Sequence, residues 1–140
     1  MNTAYRVWDG EQMHYWDDEG MKLFIDGGEW MLYSARSGEM ILEITNSKNK
    51  NAVLMWGTDQ VEICNHQVIT VYEGDVIEQE ETELGSPYEG VLIGSVNMLE
   101  GQWCIVNEKK KEARPVFSET AKNKILGDVF QNPELLEGAE

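Results

Sequence analysis

The chain has 140 residues, 26 acidic and 11 basic, for a formal net charge of −15. At about 150 residues per domain this is one domain or two small ones, able to bury a core without staples, and the 41% hydrophobic content with five Trp argues against disorder. No apolar run approaches the roughly 20 residues of a membrane span, the opening residues lack a charged-then-apolar leader, and phosphate binding would need clustered Lys and Arg; a cytoplasmic protein that binds neither membrane nor nucleic acid is expected.

Short alternating runs separated by turn residues dominate the first half. Tyr5–Trp8 reads as a strand, Asp9-Gly10 as a tight turn, and Met13–Trp16 as the partner strand. Met21–Ile25, Asp26-Gly27-Gly28 and Glu29–Ser34 repeat the pattern. Glu39–Thr45 follows, with Met40, Leu42 and Ile44 alternating with Ile41, Glu43 and Thr45. The polar tract 46–51 is a loop, Ala52–Trp56 an apolar strand, and Val61–Cys64 and Gln67–Val71 continue the β pattern.

The second half reads similarly. Tyr72–Ile77 leads into the acidic run Glu78–Glu83, and Gly85-Ser86-Pro87 breaks the chain. Tyr88–Met98 is β-rich, with Gly90 and Gly94 as bend positions. Leu99-Glu100-Gly101 is a turn, Gln102–Asn107 a strand, and Lys109–Lys111 an exposed loop. Ser118 is placed to cap a helical turn over Ser118–Lys122. Lys124–Phe130 is a last strand, and Asn132-Pro133-Glu134 starts a short helix. No apolar pattern holds a 3.6-residue period over three turns, so the fold is mainly β with minor α. A boundary near Val71 gives a β-rich part, 1–70, and a part, 71–140, whose short strands fit a small closed or half-closed barrel. Their net charges of −6 and −9 read as a solvated surface.

Cys64 and Cys104 lie among apolar residues and read as buried thiols. Cys64 and His66 form one Cys-x-His pair without a second, and His14 is distant in sequence, so neither metal nor cofactor is expected. Asp17-Asp18-Glu19 lacks calcium-loop spacing. No nucleotide loop or nucleophile elbow is present, and neither His sits in a recognisable catalytic frame. A non-enzymatic protein without catalytic residues is the expectation. Trp8, Tyr15 and Trp16 are explained by cross-strand packing in the first hairpin.

Three stretches in order carry a resemblance: YRVWDGEQMHYWDD (Tyr5–Asp18), YEGDVI (Tyr72–Ile77) and ILGDVFQNPELLEG (125–138). Together they resemble the YopX family of phage and prophage proteins over essentially the whole chain. Asp128 stands where that family usually has Asn, Gln131 where it usually has Glu, and 57–71 matches poorly. The resemblance implies a phage or prophage origin, and an N-terminal β-rich part followed by an SH3-like barrel with a C-terminal capping segment. It implies no activity.

The reading that follows is an accessory protein that binds another protein, of host or phage. The residues to carry binding are Trp8 and Asp9 at the first hairpin, Tyr72, Glu73 and Asp75 around the Glu-Gly-Asp turn, and Asn132, Leu135 and Leu136 near the end. Structural readings compete at each: Gly74 and Asp75 make a turn, and the two leucines cap the barrel. The alternatives are an acidic decoy for a host DNA-binding protein, which needs carboxylates in rows, and an enzyme with two convergent carboxylates. Self-association is open, since small β proteins with strand edges often pair.

Overall fold

A computed structural model describes residues 4–64 and 66–137, without the side chains of Arg36, Ile63 and Cys64. Strand accounts for 59% and helix for 3%, so the fold is mainly β as expected. Two compact units divide between Trp56 and Gly57, earlier than the boundary expected near Val71. Val71 is wholly buried in the core of the second unit, which draws the strand before it into that unit.

The N-terminal unit contains β1 (Tyr5–Trp8), β2 (Met13–Tyr15), β3 (Met21–Asp26), β4 (Glu29–Arg36), β5 (Glu39–Thr45) and the start of β6 (Val53–Cys64). β1 lies antiparallel between β2 and the first residues of β6. β3, β4 and β5 form a three-stranded antiparallel sheet with β4 in the middle. Val7, Trp30, Leu32 and Ile44 make the core, with Met21, Leu23 and Leu54 packed on it. Burying an aliphatic side chain of this kind contributes about 1.5–3 kcal/mol.

The first hairpin is wider than Asp-Gly suggests. Trp8 faces Met13, leaving Asp9–Gln12 as a four-residue turn. Trp8 therefore does not oppose Tyr15, whose partner is Arg6; the Trp16 amide bonds Tyr5 O at 3.0 Å. The β3–β4 turn is the two-residue Gly27-Gly28, with Asp26 opposite Glu29. Gly27 sits at φ 59°, the left-handed region that a tight hairpin turn asks of its first central residue. Beyond β5, Asn46 ties its loop to this hairpin: Oδ1 accepts Trp30 N at 3.0 Å and Nδ2 donates to Gly28 O at 2.9 Å.

The C-terminal unit contains the rest of β6, then β7 (Gln67–Tyr72), β8 (Asp75–Glu81), β9 (Val91–Leu99), β10 (Gln102–Asn107), β11 (Glu112–Pro115), β12 (Ala121–Asp128) and α1 (Glu134–Glu137). A five-stranded antiparallel half-barrel runs in the order β11-β10-β9-β8-β12. Its core is Val71, Ile77, Leu92, Val96, Ile105 and Val116.

The structure assigns an element to the acidic run and overturns one expectation, the helical turn at Ser118. Most of the acidic run is strand, because a period of two turns Ile77 and Gln79 inward while Glu78 and Glu80 face Lys124 and Lys122 across the β8–β12 pair. Buried Gln79 is satisfied by donating to Pro115 O at 2.9 Å. The turn after Ser118 is not helical. Ser118 Oγ accepts the amides of Thr120 at 3.2 Å and Ala121 at 3.0 Å, the local chemistry of a cap, but Ala121 then pairs with Glu81. The strand β11, after the lysine turn, has no counterpart in the sequence reading.

Candidate functional site

The Glu-Gly-Asp motif forms the reversal between β7 and β8. Gly74 has φ 88°, and the Asp75 carboxylate reaches back to accept the Tyr72 amide at 2.8 Å. Tyr72 and Asp75 are buried at 6% and 4% exposure, and Glu73 is half-buried. The turn is tied on both sides: Gly74 N donates to Val96 O and Gly74 O accepts from Val129 N, each at 2.9 Å.

Through Val129 the second motif meets the first. Asp75 and Asp128 are register partners across β8 and β12. Both are buried, which makes them the pair a carboxylate enzyme would need. Asp128 is occupied by its own turn, however. Its Oδ1 accepts Phe130 N at 3.0 Å and Gln131 N at 2.9 Å, and its Oδ2 accepts Gln131 Nε2 at 2.7 Å. The Gln131 amide thus fills a bonding role that a Glu there could not donate to.

Asn132, Leu135 and Leu136 belong to the same construction. Asn132 N donates to Asp128 O at 2.9 Å, and its Oδ1 accepts Asp128 N at 3.3 Å. A Cβ at Gly127 would fall within 3.0 Å of Asn132 and of the Leu135 side chain, so the C-terminal turn packs directly on β12. Leu135 and Leu136 are half-buried there.

In the N-terminal unit, Trp8 ends β1 half-buried and Asp9 organises the turn that follows. Asp9 Oδ1 accepts the amides of Glu11 and Gln12, both at 2.7 Å, and Oδ2 meets His14 Nε2 at 2.8 Å. Burial pushes the Asp9 carboxyl up, but the amides of Gln12 and Glu11 and the His14 ring outweigh it and hold the group below its ordinary range. Cys104 is buried, and burial first and the Glu100 charge second raise its thiol. The side chain of Cys64 lies outside the described residues.

The feature that the sequence reading missed is the outward face of the three-stranded sheet. Register places Phe24 beside Met31, Tyr33 beside Leu42, and Ala35 beside Met40. A bulge between Leu32 and Tyr33, opposite Glu43, keeps both Ile44 inward and Leu42 outward. Phe24, Ile25, Asp26, Met31, Tyr33 and Met40 line an open groove of about 380 Å³. Phe24 and Tyr33 meet edge to face at 5.4 Å between ring centroids. Phe24, Met40 and Leu42 are all 42% exposed or more. A signal was present. Trp30–Tyr33 and Met40–Leu42 are continuous apolar runs, and in a three-stranded sheet such runs place apolar side chains on both faces.

The YopX protein family matches residues 4–137. The chain is 36% identical over 143 aligned positions to the SPbeta prophage-derived uncharacterized protein YopX of Bacillus subtilis (strain 168), covering 100% of both. It is similar to the crystal structure of protein yopX from Bacillus subtilis, with a TM-score of 0.73, 36% identity, and coverage of 96% of this chain and 98% of that one. The aromatic first hairpin, the Glu-Gly-Asp reversal and the Asn-Pro-Glu-Leu-Leu turn packed on Gly127 are thus features of a whole-length match, and the chain belongs to the YopX family.

Proposed function

We propose that this is a prophage-encoded accessory protein that acts by binding another protein, and that the outward face of β3-β4-β5 receives it. The observation that carries the reading is the groove of Phe24, Met31, Tyr33 and Met40, an apolar patch with aromatic anchors and an acidic end at Asp26. The prophage origin rests on the relative's name. Two observations weigh against the rivals. Lys122 and Lys124 face the acids of β8, which interrupts a phosphate-like row, and Asp128 is committed to its turn.

The test uses proteins captured from phage-infected host cells and then purified. A partner that binds the purified chain directly, and loses about tenfold or more in affinity on Tyr33→Asp, supports the reading. Trp16→Ser is the control, since Trp16 is 45% exposed and lies outside the groove. Binding that is indifferent to Tyr33→Asp, or equally sensitive to Trp16→Ser, moves the site elsewhere.

A further inference from the structure

The open edge of β3 has a self-complementary pattern, and we propose that two copies of this chain pair there, β3 against β3, antiparallel, with Phe24 on the two-fold axis. The inference stands apart from the groove reading, because it concerns the strand edge and names a second copy as the occupant.

Backbone direction comes first. β3 is an outer strand of its sheet, and among the described residues β4 is the one strand paired with it. In a two-residue hairpin the flanking residues, here Asp26 and Glu29, exchange both ladder bonds. By alternation Lys22, Phe24 and Asp26 turn their N–H and C=O groups toward β4, while Leu23 and Ile25 turn theirs to the open edge. The bond from Met21 N to Asp18 O, 3.2 Å, follows the same alternation, since it leaves β3 on the side away from β4.

Register comes next. With Phe24 opposite Phe24 of the second copy, Leu23 stands opposite Ile25, and these are the residues with free backbone groups to exchange. The phenylalanines then form a non-bonded pair, the position where side chains approach most closely. Ile25, 57% exposed in the single chain, gains an apolar neighbour on the core-side face. On the outward face Lys22 stands opposite Asp26, twice by symmetry. Lys22 and Asp26 are both exposed, and among the described residues neither has an ion-pair partner. Opposite charges directly across a strand pair stabilise it, and like charges oppose it.

The other edge of the sheet has the reverse pattern. The corresponding pairing of β5, centred on Ile41, sets Glu39 against Glu43, a like-charge clash that guards that edge. An open edge strand with free backbone groups is a template for pairing, and a closed two-fold arrangement uses it once and stops.

The test is sedimentation or light scattering of the full chain over a concentration series to about 1 mM, with far-UV circular dichroism to check folding. The parent chain should dimerise. Lys22→Glu sets a carboxylate against Asp26, and Asp26→Lys sets an amine against Lys22; each should weaken association about tenfold. The double swap restores the pairing and should restore the dimer, a rescue that a general loss of stability cannot produce. Ile25→Pro removes an edge-facing N–H that the single chain does not use, and should abolish dimerisation. A parent chain monomeric throughout overturns the proposal, and leaves the groove reading standing. A dimer indifferent to both single charge changes overturns it equally, since the copies then meet elsewhere.

Discussion

Gly94 in the middle of β9 offers the sharpest test of how the half-barrel is packed. A Cβ built there meets Val106 O at 2.5 Å and Val106 C at 2.7 Å, with Ile105 Cγ2 at 3.0 Å. The first two are backbone atoms of β10, so no rotamer change relieves them. Restoring an ordinary contact of 3.4 Å to the carbonyl oxygen requires a shift of about 0.9 Å. A shift of that size in β10 stretches the two ladder bonds that Ser95 and Val106, a bonded pair by the alternation that starts at Leu99 and Gln102, exchange across β9 and β10, beyond bonding distance. Two such bonds at about 1 kcal/mol each, plus about 1–3 kcal/mol of overpacking, put Gly94→Ala at roughly 3–5 kcal/mol. For a chain near 150 residues, at about 2–4 °C per kcal/mol, that is a fall in Tm of roughly 10 °C. Calorimetry and urea unfolding should agree on it. Gly28→Ala is the control, since nothing lies within 4 Å of its Cβ and its effect should stay within about 0.5 kcal/mol. A Gly94→Ala protein melting within about 2 °C of the parent would refute the close approach.

Other consequences follow from single groups. Asp75→Ala leaves the buried Tyr72 amide without its acceptor and should cost about 1–3 kcal/mol in urea unfolding; an unchanged midpoint would mean the turn does not depend on it. Asp9 has a depressed carboxyl, so its contribution is fully present above its ordinary value of about 3.9 and is lost as pH falls through the folded value. The stability difference between the parent and Asp9→Asn should therefore be constant from pH 7 to about 5 and shrink below about 4; a difference that persists at pH 2.5 contradicts this. Glu62 has the opposite sign. Burial raises its carboxyl against a bond from Asn123, so the folded chain holds the proton more tightly than the unfolded one. Glu62→Gln should raise Tm at pH 7 and lose the advantage below about pH 4; a variant that melts lower at pH 7 reverses the argument.

How far the chain could be read from sequence depended on whether a local signal had one physical meaning. The strands Glu39–Thr45 and Gln102–Asn107 came out with the expected bounds, because alternation and flanking Gly turns point the same way. The acidic run carries a strand period beneath its charge: Glu78 and Glu80 alternate with the buried Ile77 and Gln79. Ser118 misled because a serine hydroxyl accepting amides two and three residues on serves a helix cap and a strand entry alike. Asp9-Gly10 was read as a two-residue turn, but the Asp9 carboxylate binds two amides and stabilises a wider one. The groove escaped notice because Met31 and Tyr33 look like core residues in a one-dimensional pattern. Their alternation with buried Trp30 and Leu32, and their register beside Phe24 and Leu42, puts them outside.

Two of the three motifs that carry the resemblance lie in the C-terminal unit, whereas the first hairpin shares the N-terminal unit with the surface by which we propose the chain binds. Gly74-Asp75-Val76 and Gly127-Asp128-Val129 are the same tripeptide at adjoining ends of β8 and β12, with Val76 opposite Gly127 and Asp75 opposite Asp128. In each, a carboxylate holds amides of the adjacent reversal, Tyr72 for one and Phe130 and Gln131 for the other. Such bonds need a particular residue at a particular position, so they leave a motif in the sequence. An apolar sheet face needs only side chains of suitable size and leaves none. Family membership rests on a match over the whole length, of which these two tripeptides are a part. We expect substitutions at Phe24, Tyr33 and Met40 to act on the proposed binding face without touching a bond of these turns, and substitutions at Asp75 and Asp128 to act first on the turns they hold.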